Sequence, residues 1–359
     1  MTRVKRPNSC ACCNGRTIRT KTCTLANLRT GFRMKTQTIT IIGLDRVGAS
    51  IGLALKQSSL EVTIIGHDTD AARGKVAKET VLAIDQTEWN LVKAVRKADI
   101  LVITTPLAEL ESILQVIGSE LQPHTLVLDF SSLKRQGLNW AEQYLRQGHY
   151  VGAMPILAAP YLTDGRSDPN TATPDLFKNS AFCLMPSPNA DPQAVETAVN
   201  FGLLLGALPY FMDPDEYDSL VQGSETMPGL VSLAMFSAMQ KATGWRDMLR
   251  FAGLPFALMT RPLQNEQDIP LHALQNREAT LRWLDAMLDE LKAVRRLIYE
   301  ENDEVLIALT EQLATEREKW MDARQKNDWD ERRSPPIRPR TMSEHLFGGL
   351  ARRGDDDDE

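Results

Sequence analysis

The sequence contains no uninterrupted apolar run of about eighteen residues, the length that a helix needs to cross a bilayer. It therefore predicts no membrane-spanning segment. Cysteine is also scarce, since the 359 residues include five and only Cys183 lies beyond residue 33. A body with one cysteine excludes a disulfide framework and predicts a cytoplasmic location, where thiols stay reduced.

Histidine is absent from the N-terminal segment that holds the other four cysteines, Cys10, Cys12, Cys13 and Cys23. Their Cys-x-Cys-Cys spacing lacks the paired Cys-x-x-Cys of the common zinc modules. We therefore predict no metal site.

Acidic residues are missing from residues 1–33, which carry eight Lys or Arg. The segment also lacks the apolar stretch of a secretory signal. Three interpretations fit it: an overlong start with Met34 as the true first residue, a disordered basic arm, or an organelle transit peptide. In each case residues 1–34 are an extension that stands outside the fold.

The chain as a whole has a net charge of −6, so it lacks the basic excess that is typical of nucleic-acid-binding proteins. With 43% hydrophobic and 25% charged residues, the composition is that of a globular protein, and the length allows two domains. We expect a small molecule as the partner, and neither nucleic acid nor a membrane.

Residues 38–68 contain the most informative pattern. A β-branched run at 38–42 leads into a glycine turn at Gly43 and a helix of small residues, and a second apolar run ends at Asp68. This order is typical of a βαβ unit that binds a dinucleotide. Gly43 allows the sharp turn, while Gly48 and Gly52 allow close packing of helix and strand.

The phosphates of such a cofactor would lie at the helix N-terminus, where free N–H groups and the helix dipole favour an anion. Asp68 would accept hydrogen bonds from the ribose hydroxyls, which favours NAD over NADP because a 2′-phosphate would meet a carboxylate. The residues predicted to bind the cofactor at this turn are Gly43, Leu44, Asp45, Arg46, Val47, Gly48 and Asp68.

Asp45 departs from this pattern. It stands where the fingerprint has its second glycine, whose missing side chain lets the pyrophosphate approach the backbone. A carboxylate adds bulk and repels the phosphates, although Arg46 could offset part of that repulsion by reaching a phosphate. The alternative is a βαβ unit that has kept its packing glycines and lost its affinity for the cofactor.

Further strands are predicted at 98–106, 125–129, 150–155, 181–185 and 207–212, with helices between them. We predict an α/β fold, a doubly wound Rossmann-type parallel sheet over residues 35–213. Ligands bind outside the carboxyl ends of such strands, so Thr104, Thr105, Pro106 and Ser132 are predicted to line the cofactor edge. These residue types also cap loops and begin helices, which is the simpler interpretation.

Residues 214–325 are predicted to form an all-helical C-terminal domain. A helical period runs through 271–324, with Leu281, Leu284, Leu288, Leu291 and Ile298 on one face. We expect this face to pack against a second copy in a homodimer, with a monomeric helical layer as the alternative. Residues 326–359 are predicted to form a disordered tail that ends in the acidic run 355–359.

The order of these motifs resembles that of the prephenate dehydrogenases and the arogenate dehydrogenases of tyrosine biosynthesis. The resemblance covers about residues 36–325. It rests on the glycine turn, on 98–106, on 176–179 and 244–252, and on three short motifs: Asp129-Phe130-Ser131-Ser132-Leu133-Lys134, Tyr217-Asp218 and Met227-Pro228. The resemblance implies oxidation of the ring carbinol of prephenate, with hydride passing to NAD as carbon dioxide leaves.

The resemblance also implies catalytic positions that this chain fills with other residues. A histidine is expected at Met154, Thr226, Tyr217 and Gly229, and none of these side chains has an imidazole's proton affinity near neutral pH. Three positions match the family pattern: Ser132 and Lys134, beside the expected nicotinamide, and Arg250. Arg250 would bind a substrate carboxylate or else pair with Asp247. The predicted catalytic set is Ser132, Met154, Thr226 and Arg250.

Loss of one general base lowers a rate by about 10²–10⁴. Tyr217 and Glu225 are better placed to replace the missing base. His149 is less well placed, because it lies at the opposite end of its predicted strand from Met154. Two main hypotheses stay open: a dehydrogenase with an unusual proton acceptor, and a non-catalytic relative that binds a nucleotide or an aromatic precursor. A dehydrogenase of the same fold for another small carboxylate is a third.

Overall fold

A computed structural model describes residues 37–264 and 268–329. The predictions for residues 1–34, including the four N-terminal cysteines, lie outside these residues. The predicted acidic tail lies outside them from residue 330 onward.

The described residues form a sheet of eight strands in the order β3-β2-β1-β4-β5-β6-β7-β8. The strands are β1 (Thr38–Ile42), β2 (Thr63–His67), β3 (Gln86–Thr87), β4 (Ile100–Ile103), β5 (Leu126–Asp129), β6 (His149–Pro155), β7 (Ala181–Pro186) and β8 (Leu208–Phe211). The strand order reverses between β1 and β4, which opens a crevice at their carboxyl ends. This arrangement confirms the predicted Rossmann-type fold.

Two strands, β7 and β8, run against the predicted direction. β7 pairs antiparallel with β6, whereas the other neighbouring strands pair in parallel. A parallel pair requires a long crossover connection, usually a helix, and residues 156–180 contain only short 3₁₀ turns. The chain therefore folds back beside β6 and reverses its direction.

Helices cover both faces of the sheet and continue beyond it. They are α1 (Arg46–Gln57), α2 (Ala71–Lys75), α3 (Leu91–Val95), α4 (Leu107–Ile117), α5 (Lys134–Tyr144), α6 (Pro192–Leu204), α7 (Pro214–Val221), α8 (Met227–Gln240), α9 (Trp245–Phe251), α10 (Leu254–Thr260), α11 (Asp268–Gln275), α12 (Arg277–Tyr299) and α13 (Asp303–Lys326). A π-helical turn, Gln222–Thr226, joins α7 to α8. β4 is buried throughout, as expected of a parallel strand covered on both faces.

The predicted helical stretch 271–324 is three helices in the structure. Asn276 separates α11 from α12, and Glu301 separates α12 from α13. Glu301 has φ +51°, a left-handed conformation that ends a helix. The apolar period does not reveal these breaks, because it resumes on the far side of each.

The connection between β6 and β7 is anchored on Arg46. Its guanidinium donates to both carboxylate oxygens of Asp164, at 2.7 and 2.6 Å, and to the carbonyl of Thr171 at 3.1 Å. The ring of Tyr161 lies 5.4 Å from the guanidinium carbon. Because Arg46 is 4% exposed, these contacts compensate for its removal from water. The 3₁₀ segments of the connection are thereby held against the start of α1.

We predict that Asp164→Asn lowers the free energy of unfolding by about 2 kcal/mol at pH 7, because Arg46 loses a bidentate charged partner. The hydrogen bond from Arg46 lowers the pKa of Asp164. A carboxylate with a lowered pKa in the folded state stabilises above its unfolded pKa, and this contribution is lost as pH falls through the folded value. Urea unfolding should thus show a difference between variant and wild type that shrinks below about pH 4.

Asp168→Asn is the matched control, since Asp168 lies in the same connection and accepts from the backbone N–H of Asn170 without an arginine partner. Equal losses in the two variants, or a difference that does not change with pH, would contradict the role given to the Arg46 pair.

Candidate active site

A cleft of about 790 Å³ lies at the carboxyl edge of the sheet, within the size range of cofactor pockets. It extends from the end of β2 past the end of β4 to the end of β6. Eight of the predicted site residues line it: Gly43, Asp45, Asp68, Thr104, Thr105, Pro106, Ser132 and Met154.

Asp68 stands at one end of the cleft with its carboxylate fixed in place. Its Oδ2 accepts from the backbone N–H of Leu44 at 2.7 Å, and its Oδ1 accepts from that of Asp70 at 2.8 Å. Each oxygen keeps a lone pair for a further donor, such as a ribose hydroxyl. The side chain of Leu44 is fully buried, so its part in this site comes from the backbone.

The glycine turn has the shape that the sequence predicts. Gly43 has φ +93°, and a Cβ there would lie 2.5 Å from the hydroxyl of Thr104. A Cβ on Gly48 would lie 2.0 Å from the carbonyl oxygen of Gly43. Side chains are thus excluded at both positions, which brings β1, α1 and the end of β4 into close contact.

Asp45 caps helix α1 with its own carboxylate. Its Oδ1 accepts from the backbone N–H of Val47 at 2.9 Å and from that of Gly48 at 3.1 Å. Partial burial raises the pKa of Asp45, and these two hydrogen bonds oppose the rise. Asp at the position before a helix is a common cap. Here the cap occupies the amides that would face a phosphate at this helix N-terminus.

The predicted phosphate contact of Arg46 would require the Asp164 ion pair to open. The backbone N–H of Arg46 also has a partner, the carbonyl of Ser167 at 3.0 Å. The helix N-terminus is therefore closed by the side chain of Asp45 and by the β6–β7 connection.

The middle of the cleft contains a hydroxyl group that can bond to a ligand. The Oγ1 of Thr105 is buried and has no hydrogen-bond partner among the described residues, although buried hydroxyls are normally paired. Thr104 differs, since its hydroxyl lies within hydrogen-bond distance of the carbonyl of Gly43 at 2.9 Å. A dinucleotide would thus find hydrogen-bonding partners at Asp68 and at Thr105, and it would meet the carboxylate of Asp45 between them.

The far end of the cleft is built on a buried acid, Asp129. Its carboxylate accepts from the backbone N–H and hydroxyl of Ser131, each at 2.8 Å, and from the Tyr150 hydroxyl at 2.7 Å. Burial raises the pKa of Tyr150 well above its usual value, so this phenol stays protonated. The loop that follows β5 is thereby held in one conformation, with Ser132 facing the cleft.

Lys134 connects the ends of two strands. Its ammonium donates to the carbonyls of Asp129 at 2.9 Å, of Ala153 at 2.8 Å and of Ser131, and the side chain is fully buried. Burial lowers the pKa of Lys134, and the nearby carboxylates of Asp129 and Asp218 oppose the fall. Lys134 therefore lies beneath the cleft, where it supports the loop of Ser132 and the end of β6 at Met154.

A second cavity of about 670 Å³, the chamber, lies between this edge and the helical region. The cleft and the chamber share three lining residues, Ser132, Met154 and His272. These three therefore mark the junction of the two cavities.

His272 was not predicted from the sequence. It lies on α11, and its Nε2 is 2.5 Å from the hydroxyl oxygen of Ser132. The two residues are 140 positions apart, so no local spacing connects them. The one available signal was a histidine within an otherwise apolar stretch of helix, which is common in ordinary packing.

The chamber wall contains charged side chains of both signs. Arg324 on α13 donates from Nη2 to the carbonyl of Leu157 at 3.0 Å, and its Nε is buried without a partner among the described residues. Glu225, from the π-helical turn, lines the same wall. The unpaired donor of Arg324 suits a carboxylate.

Comparison with known proteins gives one consistent result. The family described as prephenate dehydrogenase, nucleotide-binding domain, matches residues 51–209. A prephenate dehydrogenase of Bacillus subtilis is 27% identical over 278 residues, which cover 75% of this chain and 72% of that protein. Sequence similarity to a prephenate dehydrogenase thus extends over 75% of this chain.

Two solved structures of this family share the fold. The prephenate dehydrogenase from A. aeolicus, in complex with hydroxyphenyl propionate and NAD+, has a TM-score of 0.69 at 20% identity and covers 80% of this chain and 99% of its own. The arogenate dehydrogenase of Synechocystis has a TM-score of 0.60 at 22% identity and covers 79% of this chain and 100% of its own.

The predicted catalytic positions are divided between several places. Ser132 and Met154 lie at the junction, and Thr226 lines the chamber. Arg250 lines neither cavity: its side chain is 79% exposed and lies 3.9 Å from Asp247 on the same helix. Within one chain Arg250 reaches neither cavity, so its contact with a substrate stays a prediction.

The replacement bases predicted from the sequence do not border both cavities. Tyr217 and Glu225 line the chamber and not the cleft. Burial raises the pKa of Tyr217 well above its usual value, which leaves the phenol protonated near neutral pH.

No group of three or more His, Cys, Asp or Glu within 37–264 and 268–329 is arranged to hold a metal ion. In the same part of the chain, no helix combines the length and the apolar character that crossing a bilayer requires.

Proposed function

We propose that this protein is an NAD-dependent dehydrogenase that decarboxylates prephenate or arogenate as it oxidises the ring carbinol. The observation that carries the proposal is the junction, where a cleft with the features of a dinucleotide site meets a chamber with an arginine in its wall. The similarity to prephenate dehydrogenases suggests the reaction class. We also expect a cytoplasmic location, which fits a buried, unpaired Cys183.

NAD would be held by Asp68 at its adenosine ribose, along the Thr105 wall, and beside Ser132 at its nicotinamide. Bound in this way, it supplies a hydride acceptor at the junction. Asp68 favours NAD over NADP because its carboxylate would repel a 2′-phosphate.

The substrate would lie in the chamber with a carboxylate on Arg324. In the reaction, the carbinol carbon loses its hydride and the hydroxyl loses its proton. The bond to the ring carboxylate then breaks, and its electron pair makes the ring aromatic. Ser132 would hold the carbinol oxygen at the junction, and the chamber would exclude water from the carbon that loses hydride.

A second candidate function is a non-catalytic relative that binds a nucleotide or an aromatic precursor. Two observations favour it: the Asp45 carboxylate already caps the amides at the start of α1, and Met154 at the junction cannot accept a proton. A single assay separates the two functions.

The assay mixes the purified protein with NAD and either prephenate or arogenate, and follows NADH absorbance and carbon dioxide release together. The proposed function predicts that both products form in equal amounts and only when NAD is present. Tight binding of NAD without turnover of either substrate would support the non-catalytic relative and contradict the dehydrogenase.

We predict that Asp45→Gly tightens NAD binding by on the order of tenfold, or about 1.4 kcal/mol. The substitution removes a charge that repels the pyrophosphate and frees the amides of Val47 and Gly48. Isothermal titration calorimetry with NAD would measure the change in affinity. Asp70→Gly is the control, because Asp70 caps the neighbouring helix α2. Unchanged affinity in Asp45→Gly would mean that the carboxylate does not impede the cofactor.

We further propose that the chain is a homodimer through its C-terminal helices. On α12, Leu281, Leu288, Leu291 and Ile298 are exposed and recur at spacings of seven and three residues. That spacing forms one stripe along a helix, and apolar stripes of this kind pack against partner helices.

Wild-type protein should therefore sediment at twice the chain mass of 40.1 kDa. The double variant Leu288→Glu, Leu291→Glu should sediment as a monomer, since it introduces two charges into the stripe. Asp289→Lys, a change at an exposed position outside the stripe, is the control and should leave the mass unchanged. A monomeric wild type would contradict this assembly.

A further inference from the structure

We propose that His272 is the proton acceptor of the reaction and takes the place of the missing family histidines from a different element of the fold. The inference rests on the proposed function. It starts from the contact between His272 Nε2 and Ser132 Oγ, which are 2.5 Å apart at the junction of cleft and chamber.

The position of His272 suits this role better than that of any other candidate. A base for the carbinol must reach a hydroxyl whose carbon faces the nicotinamide, so it must border both cavities. Among the described residues that border both, Ser132, Met154 and His272, the imidazole is the one group with a proton affinity near neutral pH. Tyr217 and Glu225 border the chamber alone.

Helix α11 is held in place from both sides of the site. Leu271 packs against the buried cluster beneath the sheet, which includes Leu107 and Leu110 of α4. On the other side, the Gln222 side chain donates to the carbonyl of His272 at 3.3 Å. His272 therefore has a fixed position between the nucleotide-binding and helical regions.

The absence of a side chain at Gly229 contributes to this arrangement. A Cβ at Gly229 would lie 2.8 Å from Ile269, one turn before His272 on α11. The position where the family resemblance implies a histidine is thus filled by α11 itself. A larger residue at 229 would push Ile269 away, and with it the helix that carries His272.

The proton transfer balances without any additional reactant. The carbinol O–H donates its proton to Nε2 of neutral His272, and the Ser132 hydroxyl donates to the carbinol oxygen. The hydride would pass from the same carbon to the nicotinamide, which leaves a ring carbonyl. The carboxylate then leaves as carbon dioxide, its bonding pair makes the ring aromatic and the carbonyl oxygen a phenolate, and the imidazolium returns the proton to that oxygen. Ser132 positions the hydroxyl, and His272 is the catalytic residue.

His272→Gln tests the role, because the amide keeps a hydrogen bond to Ser132 and does not accept a proton near pH 7. We expect kcat/KM to fall by about 10²–10⁴ while the affinity for NAD changes less than about threefold. The acidic limb of the kcat/KM profile, which reports the free base, should disappear. His124→Gln is the matched control, since His124 pairs with Asp99 on the surface, and it should retain wild-type kinetics.

A second variant guards against a structural explanation. Adding Met154→His to His272→Gln places an imidazole at a second position that borders both cavities. We expect kcat/KM of this double variant to be at least tenfold higher than that of His272→Gln alone. Wild-type activity and an unchanged pH profile in His272→Gln would overturn the inference and leave the proposed function standing. A parallel loss of NAD affinity would show a structural role and would also overturn it. A wild type that turns over neither substrate overturns the proposed function, and this assignment with it.

Discussion

The site depends on one buried ammonium group. Lys134 donates to carbonyls at the ends of β5 and β6, and it has no contact with water. A buried charge is costly unless it is fully hydrogen-bonded, so these carbonyls have little freedom to move away from it. Their positions in turn bring Ser132 and Met154 to the same point of the sheet edge. The carboxylate of Asp218 accepts from the backbone N–H of Lys134 at 2.7 Å, which ties α7 to the same point.

The fold could be predicted from the sequence where its causes are local. Continuous apolar runs specify β1, β4 and β5, and the glycine turn specifies the start of α1, so these elements lie where the pattern predicts them. β3 has two residues and no period to detect. The reversed direction of β7 follows from the connection before it, and the break at Glu301 follows from a single left-handed residue. Hydrophobic periodicity contains no information about either.

The candidate site could be predicted in part, for the same reason. The spacing from Gly43 to Asp68 is a local signal, and both residues line the cleft. Asp45 was interpreted as an obstacle, and its capping bonds to Val47 and Gly48 show a structural role that its place before a helix could have suggested. The Arg46–Asp164 and Ser132–His272 contacts join residues 118 and 140 positions apart. Contacts of that separation depend on the packing of α11 and of the β6–β7 connection, which no local motif specifies.

We propose that the carbinol is oxidised at the junction, between Ser132 and His272. A crystal structure of the protein with NAD and a phenolic product analogue tests it most directly. We expect the phenol oxygen to lie within about 3.2 Å of both Ser132 Oγ and His272 Nε2, with the nicotinamide on the cleft side of the ring. An analogue bound in the chamber with its oxygen more than about 6 Å from His272, beyond the reach of a hydrogen bond or one bridging water, would contradict it.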